Sequence, residues 1–161
     1  MTDWNIVWRL GLASLSGLAL GLDRELRGIS AGVRTHALVA LSSALITISA
    51  LELQASLSAR GESGLDPLRV IQGLAQAVGF VAAGAIFVSR GSVHNLTSAA
   101  NIWLAAALGI ASGAGQFRLV AIGLAFGTVI LTVVRMSERF LPRRDRRKGG
   151  AGDETRGPDR G

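Results

Sequence analysis

Residues 21–43, GLDRELRGISAGVRTHALVALSS, place Asp23, Arg24, Glu25, Arg27, Arg34 and His36 between two long apolar runs. A charged loop in that position serves catalysis, holds an ion, or marks where a chain leaves a membrane, and the flanking runs bear on the choice. Those runs, residues 4–22 and 37–57, each approach the roughly twenty mostly apolar residues that a helix needs to cross a hydrocarbon layer. Further runs follow at 70–88, 98–116 and 119–136. The pattern predicts an all-α, polytopic membrane helix bundle with about five transmembrane helices, and it makes 21–43 the turn between the first two. The other connections, SARGESGLDP, SRGSVHN and GAGQFR, are short and read as turns between antiparallel helices. Asp66-Pro67 reads as an N-cap followed by proline at the first helical position, where its missing N–H is harmless. Thr97 or Ser98 is expected to cap the fourth helix in the same way.

Composition agrees with a membrane reading. Of 161 residues, 49% are hydrophobic and 17% charged, with a mean hydropathy of +0.41, too apolar for an ordinary soluble domain of this size. The 21 glycines are spread through the apolar runs, as suits helices whose backbones approach closely in lipid. The chain has no cysteine, no tyrosine and two histidines, His36 and His94, so thiolate metal sites and conventional acid–base constellations have little to build on. No enzyme activity, cofactor or metal is expected. The net charge of +6 is uneven, with nine of the seventeen Lys and Arg residues lying from Arg135 onward. That is the property of a tail rather than of a nucleic-acid groove, and nucleic acid is not an expected partner. The N-terminal MTDWNIVWRLG reads as the start of the first span rather than as a removable signal peptide. Residues 1–140 form the helical domain in this reading, and the Gly-, Pro- and charge-rich 141–161 form a disordered basic cytoplasmic tail, suited to anionic lipid headgroups or simply to fixing topology.

Positively charged short loops stay in the cytoplasm. Arg24, Arg27, Arg34, Arg90 and the nine tail residues fall on one side of a five-span chain, against Arg9, Arg60, Arg69 and Arg118 on the other. The N-terminus is therefore expected outside and the C-terminus inside. Trp4 and Trp8 then sit at the outer interface, with Arg9 snorkelling toward the same surface.

Lipid tails are as apolar as leucine, so helices associate there through close packing and hydrogen bonds. Small-residue notches occur at Gly17/Gly21, Gly79/Ala83, Gly109/Gly113 and Gly123/Gly127, on every helix except the second. They predict a compact bundle, or one that also forms a homo-oligomer. Gln72, Gln76, Gly79, Ala83 and Ile86 share a face of the third helix, and Ser98, Asn101, Ala105, Gly109 and Ser112 share one of the fourth. Ser43, Thr47 and Gln54 approximate such a face on the second, with Glu52 near the outer end. Amides and hydroxyls facing lipid leave hydrogen bonds unmade, so these faces are expected to look into the protein. There they line a pathway or act as hydrogen-bonding glue, and glue is favoured because no ionisable residue falls at mid-bilayer.

Asp23 and Glu25 supply the hard oxygen ligands of a divalent-cation site. On a continuing helix, however, residues two apart point to different faces, and the surrounding arginines compete with a cation. A salt-bridged helix end is the favoured reading, with Arg34 forking to Asp23 or Glu25. Paired-carboxylate catalysis fails on the same geometry. Arg90 and His94, in the next loop on that side, complete a polar cytoplasmic collar.

The run GLDRELRGISAGVRTHALVAL resembles the G-x-E-R-E-x-x-x-x-x-A-G-x-R-T-H-x-L-V-x-L signature of the MgtC/SapB membrane proteins. VGFVAAGAIF and GSVHNLTSAANIWLAAALG are similar to a second pair of blocks in that family, so the likeness runs in order to about Met136. Asp23, Arg24, Glu25, Gly32, Arg34, Thr35, His36, Gly79, Phe80, Gly84, Thr97, Ala99, Ala100 and Trp103 occupy motif positions. Asp23 stands where Glu is usual, Ala82 and Asn95 stand where Gly is common, and the C-terminal domain of longer members has no counterpart in these residues. The resemblance implies a bacterial inner-membrane protein of a family linked to growth in low magnesium and survival inside host cells. Its members are thought to regulate other membrane machinery, including the ATP synthase, rather than to move magnesium themselves. Membrane lipids and such a complex are the partners expected, docking at Asp23, Arg24, Glu25, Arg27, Arg34, Thr35, His36, Arg90, Thr97 and Trp103. Gln72, Gln76 and Asn101 are the intramembrane polar candidates. The alternative is a small cation transporter or channel built on those polar faces.

Overall fold

A computed structural model describes residues 1–26, 28–29, 31–62, 66–89 and 92–140. Arg27, Arg90 and the basic tail 141–161 lie outside the described residues. The chain forms α1 (Asp3–Glu25), α2 (Val33–Ser58), α3 (Pro67–Gly84), β1 (Phe87–Ser89), β2 (Ser92–His94), α4 (Leu96–Gly113) and α5 (Phe117–Phe140). Three of the helices, α1, α2 and α4, are long and apolar enough to cross a membrane. In α5 the apolar part is Phe117–Val133, and α3 dilutes its aliphatic residues with Arg69, Gln72 and Gln76.

The helices start and stop where local chemistry says they should, with two corrections. Asp66 accepts a hydrogen bond from Leu68 N–H at 2.9 Å with Pro67 at the first helical position, as read from the sequence. α4 ends in a Schellman motif: Gln116 N–H returns to Ala111 O and Gly115 N–H to Ser112 O, both at 2.9 Å, with Gly115 at φ 76°. That left-handed conformation costs a side-chain-bearing residue energy that glycine avoids. The first correction is at the start of α4, where neither Thr97 nor Ser98 is the cap. Asn95 takes that place at φ 67°, makes no side-chain cap bond, and instead donates its amide to Ala85 O at 3.2 Å. The second is at the end of α3, which stops at Gly84 rather than running to residue 88. Phe87–Ser89 pairs antiparallel with Ser92–His94 in the register Phe87↔His94, Val88↔Val93, Ser89↔Ser92. Aromatic and β-branched residues favour such pairing, and the Phe87 and His94 rings stack 5.1 Å apart.

α1 and α4 pack on α2 from two sides, and glycines explain why. A Cβ on Gly17 would stand 2.5 Å from His36 O and 2.7 Å from Ala37 Cα, so α1 meets the α2 backbone there and, one turn on, at Gly21 against Val33. On its other side α2 receives α4, whose Gly109 sits on the Ala40 carbonyl and whose Gly113 sits on that of Ala44. The helix without a notch of its own is the one that the notches of α1 and α4 close upon. Leu20, Ala40, Ala105, Leu108, Ala111 and Val120 fill the core between these helices and α5. α3 joins through Val78 and Ala82 against Ala99, Ile102 and Ala106 of α4.

The polar face expected on α4 is buried throughout: Ser98, Asn101, Ala105, Gly109 and Ser112 all point into the bundle. Ser43 and Thr47 of α2 are buried likewise, with Thr47 Oγ1 returning its hydrogen to Ser43 O at 2.7 Å. The corresponding expectation for α3 is overturned. Gln72, Gln76 and Ala83 are exposed, and a Cβ on Gly79 would meet nothing within 4 Å. The i, i+4, i+8 row Leu74, Val78 and Ala82 faces inward instead, because aliphatic side chains match the alanine-rich flank of α4 and amides do not.

Candidate functional site

At one end of the bundle the α1–α2 turn meets the start of α4 and builds a buried polar seam. Arg24, in the last turn of α1, is 5% exposed, and its guanidinium donates to Ser98 Oγ of α4. Asn101, one turn further along α4, donates its amide to Leu20 O at 3.3 Å. That carbonyl belongs to the same α1 face as Arg24. From α2, His36 is fully buried and its Nδ1 lies 2.9 Å from Gly32 O, so the ring folds back toward the start of its own helix. Four polar residues from three helices therefore converge. A hydrogen bond to a charged group contributes about 1.5–3 kcal/mol net, which makes the Arg24–Ser98 contact a strong tie between α1 and α4.

Glu25 does something the sequence did not disclose. Its Oε2 accepts the Val33 N–H at 3.0 Å, satisfying one of the orphan donors at the start of α2 from the end of α1. Gly32 makes room for it, since a Cβ there would collide with that same carboxylate. The proposed fork from Arg34 is not formed: Arg34 is exposed, and among the described residues it pairs with neither Asp23 nor Glu25. With its carboxylate bonded to a backbone donor, Glu25 closes the turn by capping the start of α2. Asp23 and Thr35 are half-buried beside it, while Thr97 and Trp103 are exposed on α4. The charged signature thus divides into an interior set, Arg24 and His36, and an exposed rim, Glu25, Arg34 and Thr97.

The opposite end is held by a second arginine. Arg9 Nη1 donates to Gly113 O at 2.7 Å, and Arg9 O accepts from Ser112 Oγ at 2.7 Å. A cation at the C-terminus of α4 meets unpaired carbonyls and the negative end of the helix dipole, so Arg9 caps a neighbouring helix rather than only snorkelling. Its position among apolar residues, with a GAG turn at the far end of the chain's fourth run, was the available signal. Near the same end the Met1 ammonium lies 3.7 Å from Glu52 Oε1. Trp4 and Trp8 are exposed there, edge to face at 5.8 Å. Among the described residues no three His, Asp or Glu side chains are grouped to hold a metal ion.

These features define an all-helical membrane protein whose α1, α2 and α4 are locked by glycine contacts and closed at both ends by buried or half-buried arginines. The chain belongs to the MgtC family, whose model matches residues 10–140. It is 38% identical over 125 residues to the putative magnesium transporter YhiD of Escherichia coli K12, covering 78% of this chain and 58% of that protein. SapB of Bacillus subtilis is 35% identical over 141 residues, with 87% and 58% covered, and SrpB of Synechococcus elongatus is 37% identical over 147 residues, with 86% and 80% covered. The chain thus spans less than two thirds of YhiD and SapB. No solved structure matches it.

Proposed function

We propose that this chain is a non-enzymatic, multi-pass protein of the bacterial inner membrane. In this reading it regulates other membrane machinery, such as the ATP synthase, in adaptation to low magnesium or stress. The observation that carries the reading is the outward face of α3. Gln72 and Gln76 point away from the bundle, followed by Gly79 and Ala83, with Phe80 83% exposed beside them. Amides on a lipid-facing helix leave hydrogen bonds unmade, and a second membrane helix can satisfy them while small residues let it approach. The exposed rim of Glu25, Arg34 and Thr97 offers polar contacts at the end of the same molecule. A photo-crosslinking residue placed at Gln72 or Gln76 in cells grown in low magnesium is expected to capture a defined membrane protein, and Gly79→Leu is expected to abolish the adduct. Random lipid or background adducts from both positions would sink the idea.

A small cation transporter is the second reading. The description of the E. coli relative as a putative magnesium transporter and the buried polar seam favour it. Against it, the glycine contacts of Gly17, Gly21, Gly109 and Gly113 bring α1, α2 and α4 to backbone distance. A path would have to open between helices that touch. Purified protein in liposomes decides: magnesium uptake that is lost in Asn101→Leu supports transport, and absence of uptake removes it.

A further inference from the structure

The seam holds two buried acceptor atoms without a hydrogen-bond partner, His36 Nε2 and Asn101 Oδ1, and one such donor atom, the Nε of Arg24, whose Nη2 is bonded to Ser98; both acceptor residues are almost wholly enclosed, at 0% and 3% exposed. Their helices run parallel in a fixed register, because Gly109 lies on Ala40 and Gly113 on Ala44. Continued toward the helix starts, that register pairs Ala105 with His36 four residues earlier and Asn101 with Gly32 eight residues earlier. The His36 ring folds back to Gly32 O, so it occupies the same level as the Asn101 side chain. α1 contributes Leu20 O and Gly21 at that level, the first bonded to Asn101 Nδ2 and the second pressed against Val33. The two orphan acceptors therefore lie on facing helices at one height, enclosed by a third.

Their chemistry specifies what belongs between them. His36 Nδ1 faces a carbonyl and so carries the ring proton, which leaves Nε2 of the neutral imidazole as a lone pair. Asn101 gives its amide N–H to Leu20 O, which leaves Oδ1 as a second acceptor. Two acceptors cannot satisfy each other. A metal cation is disfavoured by the Arg24 guanidinium one α1 turn away, and an anion by the two acceptors themselves. A neutral molecule with two donors fits, and buried waters occupy such positions, bonded to polar groups that would otherwise be orphaned. We propose that a single structural water is held between His36 Nε2 and Asn101 Oδ1, bridging α2 to α4 within the apolar bundle and fixing the His36 tautomer.

Solid-state NMR in lipid bilayers tests this site directly, and independently of any partner or transport activity. His94 is exposed on β2 and is the second of the two histidines in the chain, so His94→Gln protein labelled with 15N-histidine reports on His36 alone. At neutral pH the expected spectrum has one protonated and one unprotonated ring nitrogen, with polarisation transferred to the unprotonated one from slowly exchanging water. Asn101→Leu, with its fold checked by thermal unfolding, is expected to cut that transfer several-fold while Nδ1 keeps its proton. A parent protein in which Nε2 is protonated and coupled to the Asn101 carboxamide, or in which no water transfer reaches the ring, overturns the proposal. The parent spectra decide the matter even if Asn101→Leu does not fold.

Discussion

Glu25 and Arg24 are neighbours with different tasks, and each task makes a separable expectation. Glu25 works as an acceptor for Val33 N–H, so the charge is dispensable and the oxygen is not. Glu25→Gln keeps an acceptor of the same reach and is expected to leave thermal stability in detergent nearly unchanged, whereas Glu25→Ala is expected to lose about 0.5–2 kcal/mol, as helix N-caps do. Arg24 is enclosed and tied to Ser98. Ser98→Ala removes an oxygen from a buried guanidinium and is expected to cost about 1.5–3 kcal/mol, measured by the same unfolding experiment. If Glu25→Gln proved as damaging as Glu25→Ala, the capping role would give way to an ionic one. Asp23, Arg24 and Glu25 were legible as a group from their density in the sequence. Their division into interior and capping roles was not, since it depends on Gly32 and Ser98, which lie seven and seventy-four residues away.

Glycine notches behave differently from element to element. On α1 and α4 they are filled by the α2 backbone, so Gly109→Val drives a side chain into the Ala40 carbonyl. That variant is expected to unfold or to separate α4 from α2, seen as loss of a disulfide engineered between those helices. α3 presents the opposite case, because a Cβ on Gly73 would meet nothing within 4 Å. Gly73→Ala is expected to raise stability by about 0.5–1 kcal/mol, through the lower backbone entropy lost by alanine in a helix. A destabilised Gly73→Ala would mean that α3 is covered in the protein as it exists in the membrane. Periodicity in the sequence found Gly17/Gly21, Gly79/Ala83 and Gly109/Gly113, but spacing alone does not say that the first and third are filled by α2 while a Cβ on Gly79 would meet nothing within 4 Å.

At the scale of the whole molecule, two loops form one end: Arg24 reaches Ser98 across it, and Asn95 holds Ala85 beside it. The other end gathers Met1, Glu52, Arg9 and Gly113. From the arginine distribution we propose that the first end faces the cytoplasm. The chain contains no cysteine, so single cysteines report topology without background. Arg60→Cys, at the end of α2, is expected to react with a membrane-impermeant maleimide in intact spheroplasts. Arg34→Cys is expected to react only after permeabilisation, and the reverse pattern would invert the orientation.

Apolar run length, helix starts such as Asp66-Pro67, the family signature and the buried face of α4 were all determined by the sequence, because each rests on local spacing or on the solvation of one helix. Three things were decided only by tertiary structure. α3 turned its aliphatic row inward and its glutamines out because alanines on α4 stand opposite it. Residues 87–89 left the helical run because β2 is there to pair with them. The seam formed because glycine contacts set α1, α2 and α4 in one register, bringing Arg24, His36, Ser98 and Asn101 to one end from places far apart in the chain. A side chain's partner depends on which backbone lies across from it, and that is settled only when the helices have closed on one another.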